Sequence, residues 1–90
     1  MIRADDVLRA TSDYTGVPKA ILKDGSRGFL YVCEARRLLW AALIAEGWSY
    51  PAIADYCNGR HHSSIWHGLH KAPADAKEVR IVCEMAREGR

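Results

Sequence analysis

Ser49-Tyr50-Pro51-Ala52-Ile53-Ala54-Asp55-Tyr56-Cys57-Asn58-Gly59-Arg60-His61-His62-Ser63-Ser64-Ile65-Trp66-His67-Gly68-Leu69-His70-Lys71, residues 49–71 of a 90-residue chain, carries two helical patterns separated by one stop. Ser49 suits an N-cap, because its hydroxyl accepts a backbone N–H that a helix start leaves without a partner. Pro51 is tolerated in the first turn, where its missing N–H had no bond to make. Ile53, Ala54 and Cys57 then form an inward stripe at helical spacing. Asn58-Gly59 stops this helix, since both residues tolerate left-handed backbone. A second helix is expected from His61 or His62 to about Ala72. At roughly 100° per residue, Ile65, Gly68, Leu69 and Ala72 share one face, and Ser63, His67, His70 and Lys71 share the opposite one. Ser64 lies on one flank and Trp66 on the other. Gly68 permits close approach of a neighbouring helix. Two short helices about a tight glycine-containing turn outline a helix-turn-helix.

Outward from this stretch, helical spacing dominates. A first helix is expected over Ala4–Tyr14, with Val7, Ala10 and Tyr14 on one side and Asp5 and Asp6 suited to its positive first turn. Thr15-Gly16 ends it, and Val17-Pro18 starts a short helix through Leu22. Lys23-Asp24-Gly25-Ser26-Arg27-Gly28 reads as a loop with two basic side chains. A third helix is expected from Phe29 or Leu30 to Glu46. It is apolar nearly all round from Leu38 onward, which marks the buried centre of a small helical domain, and Gly47 is placed to end it. After Lys71, Pro73 begins a last helix to about Arg87, with Ala76, Val79, Cys83 and Ala86 as a narrow apolar stripe. The fold expected is all-α: a small bundle of five to six helices, with residues 1–90 forming one domain and an extra C-terminal helix at about 73–87.

Composition agrees with a globular chain: 49% of residues are apolar and 27% charged, so disorder is not expected. The longest apolar run, Leu38–Ala45, is short of the roughly 20 residues a membrane span needs. The N-terminus carries Asp5 and Asp6 where a secretory signal needs basic and then apolar residues, so a cytoplasmic protein is expected. Cys33, Cys57 and Cys83 are odd in number and widely spaced, as small core residues in a reducing compartment are. The net charge is only +2. Its distribution says more. Between Asn58 and Lys71 lie Arg60, Lys71 and all four histidines of the chain, with no acid. Such a window can face phosphate without repulsion.

The outer face of the second helix therefore holds hydrogen-bonding side chains of moderate length. That suits a DNA major groove, where Ser steadies base edges and phosphates and Lys or Arg reads guanine or phosphate. A helix N-terminus also offers free N–H groups to a phosphate, and Arg60 to Ser64 stand at that end. Plainer readings stand beside these. Ser63 or Ser64 can serve only as a cap, His67 and His70 as solvated histidines, and Arg36 and Arg37 as surface charges of the third helix. Trp40 and Trp66 are expected as core aromatics.

Asn58-Gly59-Arg60-His61-His62-Ser63-Ser64-Ile65 resembles the Gly-Gly-Arg-Asp-His-Ser/Thr-Thr-Val signature of the C-terminal DNA-binding domain of DnaA, the bacterial replication initiator. Ala35-Arg36-Arg37-Leu38 through Leu43 resembles that family's central helix, and Ser49-Tyr50-Pro51-Ala52-Ile53 the opening of its helix-turn-helix. His67 and Lys71 stand where the family has His and Lys. The likeness covers roughly residues 4–72. It implies a Trp-repressor-like helical fold and binding to short boxes in duplex DNA, with a nucleoid-associated location and a role in replication initiation or transcription. It further implies that His61, His62 and Ser63 approach base edges, that Ser64 approaches a phosphate, and that Arg27 enters the neighbouring minor groove. Arg37, or Arg36 in a register shifted by one, would add a groove or backbone contact, and Tyr50-Pro51 would touch backbone. The chain departs from the pattern at His61, where the family has Asp, at Asn58, where it has Gly, and at Ala54, where it has Gly. No Gly-x-x-x-x-Gly-Lys-Ser/Thr loop is present, so no nucleotide is expected, and Met1 with the helix after Pro73 points to a small stand-alone relative.

Three functions compete at this stage. The first is sequence-specific binding of double-stranded DNA. The second is a protein-interaction module that binds a replication initiator or other partner without reading DNA. The third is a metal site or enzyme built on His67-x-x-His70 with Cys57, His61 and His62. The third lacks paired Cys-x-x-Cys or His-Glu-x-x-His spacing and a nucleophile–base–orienter set, so no enzyme, cofactor or metal is expected.

Overall fold

The computed structural model describes residues 2–24, 28–58 and 61–89. Among them it has six α-helices and no strand: α1 Ala4–Thr15, α2 Lys19–Lys23, α3 Leu30–Ala45, α4 Tyr50–Tyr56, α5 His62–Lys71 and α6 Ala76–Glu88. The all-α bundle expected from periodicity is what forms. No helix among the described residues is long and apolar enough to cross a membrane.

The bundle is organised around α3, which packs against every other helix. Leu38, Leu39, Trp40, Ala42 and Leu43 are all buried, so this helix is apolar on more than one side because neighbours cover more than one side. It ends at Ala45 with Glu46 as its C-cap, and Gly47 takes a φ of 96°, the left-handed backbone that a side chain would strain. Helix α1 turns Val7, Leu8 and Ala10 inward, together with Thr11, whose buried hydroxyl donates to the Val7 carbonyl at 2.8 Å. Tyr14, expected on that inner side, instead stands at the rim and donates to Glu78 of α6 at 3.3 Å.

Helix α6 packs on both α1 and α3, so the segment after Pro73 is built into the core. It starts later than expected. Residues 73–75 are not helical, and the Asp75 carboxylate caps the helix by accepting from Lys77 N at 2.7 Å. A side-chain acceptor at a helix start outweighs the permissive φ of a proline that has no such acceptor beside it. The inner stripe is accordingly Val79, Val82, Cys83 and Ala86, while Ala76 is exposed. Arg87 at the end of α6 pairs with Glu46 at 2.8 Å, which closes that end of the bundle.

Two polar links seat the N-terminal helices. Arg36 is 4% exposed and donates from Nε and Nη2 to the Ile21 carbonyl at 3.2 and 2.9 Å, binding α3 to the last turn of α2. Tyr56 of α4 donates to Asp5 of α1 at 2.6 Å, while Lys23 lies 4.3 Å over the Tyr56 ring. The Tyr56 bond holds the Asp5 carboxyl below its usual range. Burial, and then the Asp5 carboxylate, push the Tyr56 phenol well above its own. Cys57 and Cys83 are buried as expected of core thiols, and burial pushes Cys83 up to about 11, whereas Cys33 is half-buried.

Candidate nucleic-acid interface

The pair α4 and α5 forms at the expected places. Ser49 accepts from Ala52 N at 3.2 Å, Pro51 lies in the first turn, and Asn58 takes a left-handed φ of 58° just beyond the helix. Helix α4 turns Ile53 and Ala54 inward and packs against α5.

Helix α5 is held by its inner face. Ile65 is fully buried, and Gly68, Leu69 and Ala72 are half-buried. A Cβ added to Gly68 would sit 3.1 Å from Cζ3 of Trp40, so the glycine is what lets α5 lie directly on the central helix. The opposite face is open: His61, His62, Ser64, His67, His70 and Lys71 are exposed, and Ser63 is half-buried. No carboxylate lies within α5.

The start of α5 is capped by a histidine. His61 has extended backbone, and its Nδ1 accepts from the Ser63 backbone N–H at 3.2 Å. The Ser63 hydroxyl lies 2.6 Å from the same nitrogen. Ser63 and Ser64, the residues expected to cap if any did, are both inside the helix. The His61 and His62 rings stack with centroids 4.5 Å apart. Farther along, Trp66 stacks on His70 at 3.8 Å and meets His67 edge-on at 5.1 Å. His70 Nδ1 donates to the Trp66 carbonyl at 2.8 Å. Trp40 is the core aromatic expected of it, but Trp66 is 44% exposed and joins the outer face. The signal for this was its place on the helix flank, with outer-face residues one and four positions on.

The remaining predicted contacts divide. Arg27 and Arg60 lie outside the described residues. Arg36 is withdrawn from solvent and serves the α2–α3 joint, so it is not a groove contact. A buried guanidinium needs fixed acceptors, and this one has found a carbonyl at a helix C-terminus. Arg37 is half-buried and lines a cleft of about 280 Å3 with Glu34, Asp75 and Glu78, three carboxylates that oppose the approach of phosphate. Pro51 is exposed and Tyr50 is half-buried against the core. His61, His62, Ser63, Ser64, His67 and Lys71 are thus brought together on one helix, while Arg37 stands in an acidic cleft.

Of the residues in the proposed metal set, Cys57 is 1% exposed and His70 is committed to Trp66. Among the described residues no three His, Cys, Asp or Glu side chains gather in a way that could hold a metal ion. No family model, no curated protein and no solved structure matches this chain.

Proposed function

We propose that the chain binds double-stranded DNA, with the N-terminal end and outer face of α5 in the major groove. The observation that carries this is one surface: a ten-residue helix with no acid, exposed at His62, Ser64, His67, His70 and Lys71 and at its cap His61, and anchored beneath by fully buried Ile65. A B-DNA major groove admits a helix, and these side chains are of a length and chemistry that bond to base edges and phosphates. The anchoring supports the same reading, because a helix that reads bases must be held rigidly by its scaffold. The likeness of Asn58–Ile65 to the DnaA signature supports sites resembling the boxes of that initiator, and a role in replication or in transcription near them. Binding by this surface requires neither enzyme activity nor cofactor.

The test is selection from a random duplex pool at low salt, followed by measurement of affinity against salt concentration. Enrichment of a motif, with log K falling by about 0.9 per neutralised phosphate for each unit of log salt, supports the proposal. A pool that emerges unchanged rejects it.

A protein-facing role is favoured by one other observation. Phe29, Leu30 and Tyr31 at the start of α3 are 76%, 71% and 61% exposed, with the Phe29 and Tyr31 rings stacked 6.1 Å apart. Contiguous exposed apolar side chains mark contact surfaces more often than single ones do. Co-purification of an initiator that survives nuclease treatment and is lost on Phe29→Ser would favour that role.

A further inference from the structure

The hydrogen bonding at the tip of α5 determines which nitrogen of His61 faces outward, and from this we infer that His61 selects a hydrogen-bond acceptor on a base edge and excludes cytosine. The inference rests on the DNA-binding reading above. A neutral imidazole has one N–H and one nitrogen with a lone pair. The Ser63 backbone N–H can only donate, and it is directed at Nδ1 of His61 at 3.2 Å. Nδ1 therefore holds the lone pair, and the ring proton is on Nε2. The Ser63 hydroxyl, 2.6 Å from Nδ1, donates to that lone pair as well.

Both local donors are thus spent on the inner nitrogen of an exposed ring. What His61 turns outward is Nε2–H, a donor. Full protonation of the ring would break the cap but leave Nε2 a donor, so the sign of the contact does not depend on the charge of the ring. Turning the ring over would forfeit both bonds to Nδ1, and His62 stacks on its face with centroids 4.5 Å apart.

In the major groove guanine offers two acceptors, adenine N7, thymine O4, and cytosine only its amino donor. A lone outward N–H is therefore satisfied by three bases and best by guanine, while cytosine sets donor against donor and leaves both unpaired. An aspartate at 61 would reverse this preference. Its carboxylate would cap the same helix, since Asp is among the favoured N-cap residues, and would present only acceptors to the groove.

The experiment compares motifs selected from one random duplex pool by the wild-type chain, His61→Asp and His61→Ala. Thermal melting of each variant confirms that it is folded. The expected result is a shared motif in which a single position changes: guanine enriched and cytosine depleted for the wild type, cytosine enriched for His61→Asp, and little preference for His61→Ala. The discrimination expected at that position is on the order of tenfold. One motif common to all three proteins, or cytosine preferred by the wild type at the position that changes, overturns the role of His61 while leaving DNA binding intact. No motif for any of the three overturns both.

Discussion

Replacing Arg36 distinguishes a structural role for this arginine from contact with the proposed DNA. Its guanidinium is buried and donates twice to the Ile21 carbonyl, at 3.2 and 2.9 Å. Hydrogen bonds from a charged group contribute about 1.5–3 kcal/mol net, and the two methylenes lost on truncation to Ala contribute roughly 0.8 kcal/mol each. Relief of guanidinium desolvation offsets part of this, so Arg36→Ala is expected to cost about 3 kcal/mol. In a domain of this length that lowers Tm by about 12–24 °C. Arg36→Lys keeps the charge and the stem but replaces a two-pronged donor by a point donor, and should cost about 1–2 kcal/mol. The assay is thermal and urea unfolding, paired with the salt dependence of DNA affinity at a temperature where every variant is folded. The salt slope should match wild type for both Arg36 variants. Lys71→Ala, which removes an exposed charge from the last turn of α5, should lower the slope by about 1 and leave Tm nearly unchanged. An Arg36→Ala protein that melts like wild type and binds DNA with a flatter salt dependence would refute the assignment of Arg36 to the core.

Gly68→Leu should destabilise the fold by about 2–3 kcal/mol in urea titrations, because its side chain must displace Trp40, whose Cζ3 is already 3.1 Å from a single added carbon. In Gly68→Ala a helix-propensity gain of about 1 kcal/mol roughly balances that contact, so equal stability of the Leu variant and wild type is the result that contradicts the packing described. The raised Tyr56 and lowered Asp5 predict losses at both ends of the pH scale. The Tyr56 contribution is complete below the ordinary tyrosine value of about 10 and fades as pH rises toward its folded value; the Asp5 contribution is complete above about 3.9 and fades as pH falls. Tyr56→Phe should therefore flatten the alkaline limb of a stability–pH profile and weaken the acid limb, and a profile parallel to wild type counts against the Tyr56–Asp5 bond. In thiol labelling at about pH 8, half-buried Cys33 should react first and Cys83, pushed up to about 11, only as the protein unfolds. Simultaneous labelling of all three in the native protein is the contrary result.

The helices were readable in the sequence where periodicity and a stop signal coincided. The Ser49 cap, the Asn58 turn, the buried run of α3 and the close contact at Gly68 each follow from the local chemistry of a residue and its spacing. What periodicity could not supply was the choice between two acceptable neighbours. Arg36 and Arg37 differ by one position, about 100° around the helix, and only the packed bundle places the first beneath the Ile21 carbonyl and the second in a carboxylate cleft. The start of α6 is ambiguous in the sequence for a similar reason, since both Pro73 and Asp75 are acceptable beginnings and the carboxylate bond to Lys77 N decides between them. The cap of α5 was hidden because a histidine rarely outranks a neighbouring serine as N-cap; here the serines continue the helix.

A net charge of +2 is small for the DNA binding proposed above, but the arrangement of charge matters more than its sum. Glu34, Asp75 and Glu78 line the cleft beside Arg37, where the C-terminal end of α5 leads into α6, while His61 to Lys71 contain no acid at all. A duplex that approaches the cleft meets carboxylates, and one that approaches α5 meets a helix that carries none of its own. The cleft adjoins the C-terminal end of α5, and the tip lies a ten-residue helix away, about 15 Å, whereas charges at physiological ionic strength are screened over about 8 Å, so the tip of α5 is largely shielded from the cleft. The consequence is orientation rather than strong attraction. On the proposed function, encounter would be weakly favoured overall, and repulsion at the cleft would select the pose with α5 in the groove against its alternatives. Reversing Glu34 and Glu78 to lysine should therefore raise affinity for random duplex more than affinity for the selected motif. An equal gain on both would show that the acidic cleft plays no part in orienting the chain.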